Sequence, residues 1–173
     1  MRHPDLAAVG GEMRAQWRAE TEAATEDAAA QWRHSRTLVD WLTERMHAGD
    51  KIAVVVSGQR FAGTVEEAGP DLIALRAVFG RVDIHLVPGI SLFVEMHDKA
   101  TAGGQRAQSS RTFREALLVR DGRDDQSVGT VHDPEGLDGA LFVGADFLSV
   151  VAKLGRETVV PLDAVTWVCA RRV

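Results

Sequence analysis

The chain has 173 residues, 45% hydrophobic and 26% charged, with a net charge of −5. These are ordinary proportions for a folded domain or two small ones, and they exclude a low-complexity disordered chain. No apolar run approaches the roughly 20 residues that cross a bilayer. The single cysteine, Cys169, excludes an intrachain disulfide.

Residues Asp5 to His47 read as one long helix, because Leu6, Val9, Met13, Trp17, Ala24, Ala28, Trp32, Val39, Leu42 and Met46 fall on one stripe at helical spacing. Such a helix spans about 60 Å at 1.5 Å per residue, longer than a small β unit can cover. Part of the stripe, with Trp17 and Trp32, is therefore expected to pack on another helix or a partner chain. A hairpin near Glu20–Asp27 is the alternative, although no Gly or Pro marks a turn there. Leu38, Val39, Trp41 and Leu42 are expected to cap the core of the β segment that follows. Gly49 ends the helix as its C-cap.

From Ile52 the pattern changes to short alternating strands. Ile52–Val56, Phe61–Val65, Ile73–Leu75, Val82–Leu86 and Ile90–Val94 are separated by turns at Ser57-Gly58-Gln59, Ala68-Gly69-Pro70-Asp71, Phe79-Gly80 and Pro88-Gly89. Five short strands with tight turns predict a small, strongly bent antiparallel barrel. Residues from His97 to Ser110 read as an exposed linker. A short helix follows from Thr112 to about Arg120, capped by Ser110 or Thr112. Five further strands are expected near 127–132, 137–143, 147–153, 157–161 and 164–170.

The strand-rich pattern is written twice. Gly69-Pro70-Asp71-Leu72-Ile73, Gly80-Arg81, Ile84, Val87 and Ile90-Ser91 are answered 75 residues later by Gly144-Ala145-Asp146-Phe147-Leu148, Gly155-Arg156, Val159, Leu162 and Val165-Thr166. That offset runs unbroken from Gly69 through Phe93, while Phe61-Ala62-Gly63 answers Leu137-Asp138-Gly139 at 76, a one-residue slip. The expected divisions are an N-terminal helix (1–48), a first barrel (49–96), a linker (97–111), and a second barrel with a short leading helix (112–173).

Charge and motifs do not assemble a catalytic or metal site. Residues 49–98 carry 4 basic and 7 acidic groups, which opposes phosphate binding. Lys99, Arg106, Arg111, Arg114, Arg120 and Arg123 are the closest basic grouping, diluted by acidic neighbours and read as solvated surface. His85 and Asp83 share a strand face, the spacing at which a carboxylate could orient an imidazole, but no nucleophile or third ligand can be set beside them. His97-Asp98 falls in the linker and His132-Asp133 in a turn. Gly58-x-x-x-x-Gly63 lacks the Lys-Ser/Thr of a phosphate loop. Arg60, Arg76, Arg81 and Arg156 are the candidates for phosphate contacts, and equally for charges that protect strand edges. Cys169 is expected as a small buried hydrophobe.

Gly58-x-x-Phe61-x-Gly63-x-Val65, followed by Asp71, Leu72 and Leu75, resembles the first motif of the Sm/Sm-like fold, a five-strand bent barrel with an N-terminal helix. The whole chain is similar to a group of uncharacterised actinobacterial proteins with a long helix and two such units, over residues 38–95 and, more loosely, 127–170. The Asp and Asn with which RNA-binding members grip a base fall at Gly69 and Ile73, and their Arg-Gly pair falls at Pro88-Gly89. The second unit offers Gly144, Leu148 and Asp163-Ala164 at those places. The resemblance thus implies the fold without its RNA pocket. Gly155–Val165 also resembles the closing strands of PRC-barrel domains, which act in protein interaction and assembly.

The expected fold class is α+β, mostly β: a long N-terminal helix followed by two small, strongly bent antiparallel Sm/SH3-like barrels, the second more divergent. The expected function is a non-enzymatic, cytoplasmic interaction or assembly protein, with self-association or a protein partner engaged through the N-terminal helix. No catalytic, cofactor-binding or metal residue, cofactor, membrane contact or small-molecule substrate is assigned. The alternative is an Sm-like regulator that binds RNA or DNA.

Overall fold

A computed structural model describes residues 6–87, 92–100, 109–133 and 135–170. The chain divides into two compact units, Met1–Thr37 and Leu38–Val173.

The first unit holds helix α1, Leu6–Ser35, 30 residues long. The expected single helix is corrected: α1 stops at Ser35, and α2, Leu38–Ala48, starts after Arg36-Thr37. No hairpin interrupts Glu20–Asp27, which lies wholly within α1. The break has a local cause. Thr37 stands just before α2 with Asp40 in its first turn, the spacing at which a hydroxyl and an acid mark a helix start. Ser35 Oγ meanwhile donates back to Trp32 O at 3.0 Å, a bond that competes with helix continuation. Trp17 and Trp32 are 74% and 57% exposed, and the Arg36 guanidinium lies 4.6 Å above the Trp32 ring.

The second unit starts with α2 and continues through β1 (Lys51–Val56), β2 (Gln59–Ala68), β3 (Leu72–Ala77), β4 (Gly80–His85) and β5 (Leu92–Asp98). Helix α3 (Phe113–Leu118) follows, then β6 (Gln126–Thr130), β7 (Leu137–Val143), β8 (Phe147–Val151), β9 (Glu157–Pro161), a 3-10 turn at Leu162–Ala164, and β10 (Val165–Ala170). His97 and Asp98, expected in a linker, belong to β5. Thr112 caps α3 in a reciprocal box with Glu115. Ser57 and Gly58, with φ of 47° and 77°, form the two-residue turn between β1 and β2, where two positive φ values match strand twist.

All strand pairs are antiparallel, and they form one ten-strand sheet in the order β5-β1-β2-β3-β4-β10-β6-β7-β8-β9. The sheet is open, with β5 and β9 at its ends, so the expectation of two separately closed barrels is replaced by two half-sheets joined along β4 and β10. Each half has the same internal order, β5-β1-β2-β3-β4 and β10-β6-β7-β8-β9.

The pairing registers locate the slip seen in the sequence. In β2 the register shifts between Val65 and Glu67, a bulge at Glu66, whereas Ala140–Val143 pair with β8 without interruption. Glu66 is the extra residue. The registers also correct the unbroken offset of 75. Ile73 pairs with Ile84 and its counterpart Leu148 pairs with Val160, so Val160, not Val159, corresponds to Ile84. Phe61 leads through Val54 to Val94, and Leu137 leads through Val128 to Val168, so Val168 corresponds to Val94 rather than Phe93. Repeated local geometry agrees. Gly69 N donates to Leu72 O at 2.8 Å and Gly144 N to Phe147 O at 2.9 Å. Leu86 N reaches Asp71 O, and Leu162 N reaches Asp146 O, both at 2.8 Å. A Cβ on Gly63 would overlap the Arg76 carbonyl, and one on Gly139 the Val151 carbonyl.

Each half bends over its own core. Leu42 and Met46 of α2 close the first, with Val54, Phe61, Val65, Ile73, Leu75, Val82 and Ile84 beneath them. Trp41 packs at its margin, while Leu38, expected to help cap it, is 43% exposed. Phe113 and Leu117 of α3 close the second core over Val128, Leu141, Leu148, Val150, Val160 and Val168. Burying a side chain of this size is worth about 1.5–3 kcal/mol. The two cores interlock where the halves meet: Trp167 and Cys169 of β10 enter the first, and Leu72 of β3 enters the second.

Candidate functional site

A broad, open recess lies where the halves meet. The bonds from Leu86 N to Asp71 O and from Leu162 N to Asp146 O draw the segments after β4 and β9 against the turns before β3 and β8. The result is an open groove of about 600 Å³ lined by Asp71, His85, Leu86 and Val87 of the first half and by Asp146, Leu162 and Asp163, among others, of the second.

His85 is buried at its edge, with Nδ1 3.0 Å from Val165 O, Nε2 3.8 Å from Asp71 Oδ2, and its ring stacked 4.2 Å from Phe113. Burial pushes its pKa down, more strongly than the Val165 carbonyl and the Asp71 carboxylate push it up. Because a carbonyl oxygen only accepts, Nδ1 donates to Val165 O. Asp71 is already engaged, because its Oδ1 accepts from Phe113 N at 2.7 Å. Three carboxylates and a neutral imidazole oppose an anionic ligand here. Among the described residues no group of three His, Cys, Asp or Glu converges to hold a metal ion.

Asp83, spaced on the strand so that it could orient His85, is bound elsewhere. Arg120 Nε donates to Asp83 Oδ2 at 2.7 Å, and its other nitrogens reach Gln126 Oε1 at 2.8 Å and Arg81 O at 3.0 Å. Arg81 Nε donates to Asp83 Oδ1 at 2.7 Å, and its Nη2 reaches Glu67 Oε2 at 2.5 Å. Burial pushes the Glu67 pKa up, but hydrogen bonds from Ser109 and Arg81 outweigh it and hold the carboxyl below its usual value. Arg120 and Asp83 are 8% and 1% exposed, so a residue read as solvated surface is a buried ion-pair partner tying the two halves. A charged residue inside the apolar run Val82-Asp83-Ile84 was the sequence signal for such a partner.

The other sequence candidates are mostly paired within the chain. Arg60 meets Glu95 at 3.5 Å, Arg76 bonds Glu66, Arg111 meets Glu67 at 3.5 Å, and Arg114 donates to Gly144 O at 3.2 Å. Arg156 is exposed in the turn before β9. At the places where the resembled family grips a base, Gly69 closes a turn and Ile73 is fully buried, while Leu148 is buried in the second core. Pro88-Gly89 and Arg106 lie outside the described residues. Asp133 serves its turn, with Oδ1 accepting from Gly136 N at 3.3 Å. Cys169 is buried in the first core.

The second feature that could bind is the pair of sheet edges. Among the described residues, no strand pairs with the outer side of β5 or β9. Large apolar side chains stand exposed there: Phe93 at 64%, Val159 at 58%, and Phe147, on β8 beside β9, at 41%. Such an edge offers unpaired backbone groups as a template for another strand.

Comparison with family models, with curated proteins and with solved structures finds no match to this chain. Among the described residues, no helix is long and apolar enough to cross a membrane.

Proposed function

We propose that this chain is a non-enzymatic interaction or assembly protein, built from two Sm/SH3-like β units and a long helix that engages a partner. The observation that carries this reading is the set of apolar residues left exposed on regular elements: Trp17 and Trp32 on α1, and Phe93 and Val159 on the sheet edges. Aromatic side chains on rigid elements supply the anchors that dominate protein interfaces. Nucleic-acid binding has weaker support, because the groove carries Asp71, Asp146 and Asp163 and most candidate arginines are paired within the chain.

Sedimentation velocity of the full chain across a concentration series tests this reading. It predicts species heavier than the 18.8 kDa monomer, growing with concentration. A strict monomer throughout, unchanged by Trp17→Ala with Trp32→Ala and retaining RNA or DNA on a filter at low salt, would replace it with the nucleic-acid reading.

A further inference from the structure

We propose that the recess between β4 and α3 is an anion-binding site that takes a phosphoryl group between Arg111 and Arg123. The site uses none of the exposed apolar residues of the assembly reading, and it stands or falls separately from that reading.

This recess, of about 290 Å³, is lined by Arg81 of β4, by Arg111 just before α3, and by Arg120 and Arg123 just after it. Asp83 is the one carboxylate in the wall, and the rest of the wall is alanine and valine. Glu67, outside the wall, accepts from Arg81 and meets Arg111 at 3.5 Å, which offsets a second charge. Cations still outnumber carboxylates there. Arg120 and Asp83 are buried, so the charges beside them are screened less than in open water. One of the four arginines comes from β4 and three from residues 111–123, which is why a count of charge along the chain does not show the cluster.

The four arginines divide by what they already hold. Arg120 donates to Asp83, Gln126 and the Arg81 carbonyl, and Arg81 donates to Asp83 and Glu67. Those two join the halves. Arg111 donates from Nη2 to Glu115 O at 3.1 Å, and among the described residues the exposed Arg123 guanidinium has no partner. Both are mounted on fixed backbone. Gly69 lies so close to Arg111 that a Cβ there would overlap the Arg111 carbonyl. Arg123 N donates to Arg120 O, and Leu141 N donates to Arg123 O, each at 3.1 Å. Donors already in place lose little freedom when a ligand arrives. A guanidinium presents paired N–H groups that match two oxygens of a phosphoryl group. The recess is smaller than the roughly 300–1,000 Å³ that whole drug-sized ligands occupy, and suits phosphate or the phosphoryl end of a larger molecule.

The repeat gives a reason to read the cluster as more than scaffold. Arg76 pairs with Arg81 as Val151 pairs with Glu157, so Glu157 is the counterpart of Arg81, and Val159 is the counterpart of Asp83. The second half forms the same strand order with neither charge, so the β fold does not require them.

Isothermal titration calorimetry of the full chain at low salt tests the site, with inorganic phosphate and O-phosphoserine as probes. One saturable site per chain is expected. Arg111→Gln and Arg123→Gln should each weaken it about tenfold or more, because each removes charge-assisted hydrogen bonds. Arg156→Gln, which removes an exposed arginine from the turn before β9, should bind as the wild type does. Circular dichroism of each variant shows that it folds, and Arg123→Gln, at an exposed residue, carries the test if Arg111→Gln does not. Binding of either probe supports the proposal: equal affinity marks free phosphate as the ligand, and tighter O-phosphoserine marks a phosphoryl group on a larger molecule. Three results would overturn it: no saturable heat from either probe, binding unchanged in Arg111→Gln and Arg123→Gln, or an equal loss in Arg156→Gln. Single-stranded RNA that binds where neither probe does, and is lost in the same two variants, would replace it with the nucleic-acid reading.

Discussion

The inner junction and the outer edges of the sheet use corresponding strands, yet they are finished differently. Between β4 and β10 the chain buries an indole, a leucine and an ion pair, with Arg120 holding Asp83 at 2.7 Å. At β5, β8 and β9 the corresponding places carry Phe93, Phe147 and Val159, all exposed. The difference separates a permanent joint from an open edge. An ion pair buried from both sides is a permanent connection, because separating it would strand a charge. At the edges no charge is buried, and the apolar residues stand beside backbone groups that no described strand pairs.

The largest expected effect comes from breaking the inner joint. Arg120→Ala removes one of the two cations that hold the buried Asp83, leaving Arg81, and should lower unfolding stability in urea by about 3 kcal/mol. Replacing both residues together, as Arg120→Met with Asp83→Leu, should recover most of that loss. If Arg120→Ala alone unfolds with the wild-type midpoint, the joint is not held by this pair. Next is Gly129, where an added Cβ would overlap the Trp167 indole. Gly129→Ala should displace the indole and cost about 1–3 kcal/mol, visible as a red-shifted tryptophan emission.

A pH scan probes the groove beside the joint. His85 has its folded pKa pushed below the ordinary 6.5, so the unfolded chain binds its proton more tightly. Its contribution to stability is complete above about pH 6.5 and is lost as pH falls below that. The melting temperature should therefore drop as pH is lowered through that range. His85→Phe should flatten the drop, and an equal drop in that variant would place its cause elsewhere. Glu67, held below 4.5, acts in a separate window, losing its contribution as pH falls below 4.5. The smallest effect is at α3, where Thr112→Ala removes the cap and should cost about 1 kcal/mol of thermal stability.

Much of this architecture could be read from residue order. Alternating Ile52, Val54 and Val56, the Ser57-Gly58 turn and the paired Gly69 and Gly144 turns gave nearly every strand its place, because local turn chemistry and period-2 burial are written in neighbouring residues. Three things were not legible. The helix break at Arg36-Thr37 carried only a short capping signal inside a long helical stripe. The strand correspondence at β9 and β10 slid by one residue each way, because the connecting loops differ in length between the halves and local pattern does not show which residues pair. The joining of the halves through β4 and β10, and with it the role of Arg120, depends on contact between residues 37 positions apart or more, which no local pattern encodes. The groove was illegible for the same reason, since Asp71 and Asp163 meet only once the halves are joined.

The most direct measurement is sedimentation velocity of the full chain across a concentration series, beside Trp17→Ala with Trp32→Ala and beside Phe93→Glu with Val159→Glu. The account predicts species heavier than the 18.8 kDa monomer for the wild type, lost in at least one of the two double variants, because apolar anchors on rigid elements carry interfaces. A wild type that stays monomeric at every concentration, or assembly that neither double variant weakens, would contradict the claim that these exposed residues engage a partner.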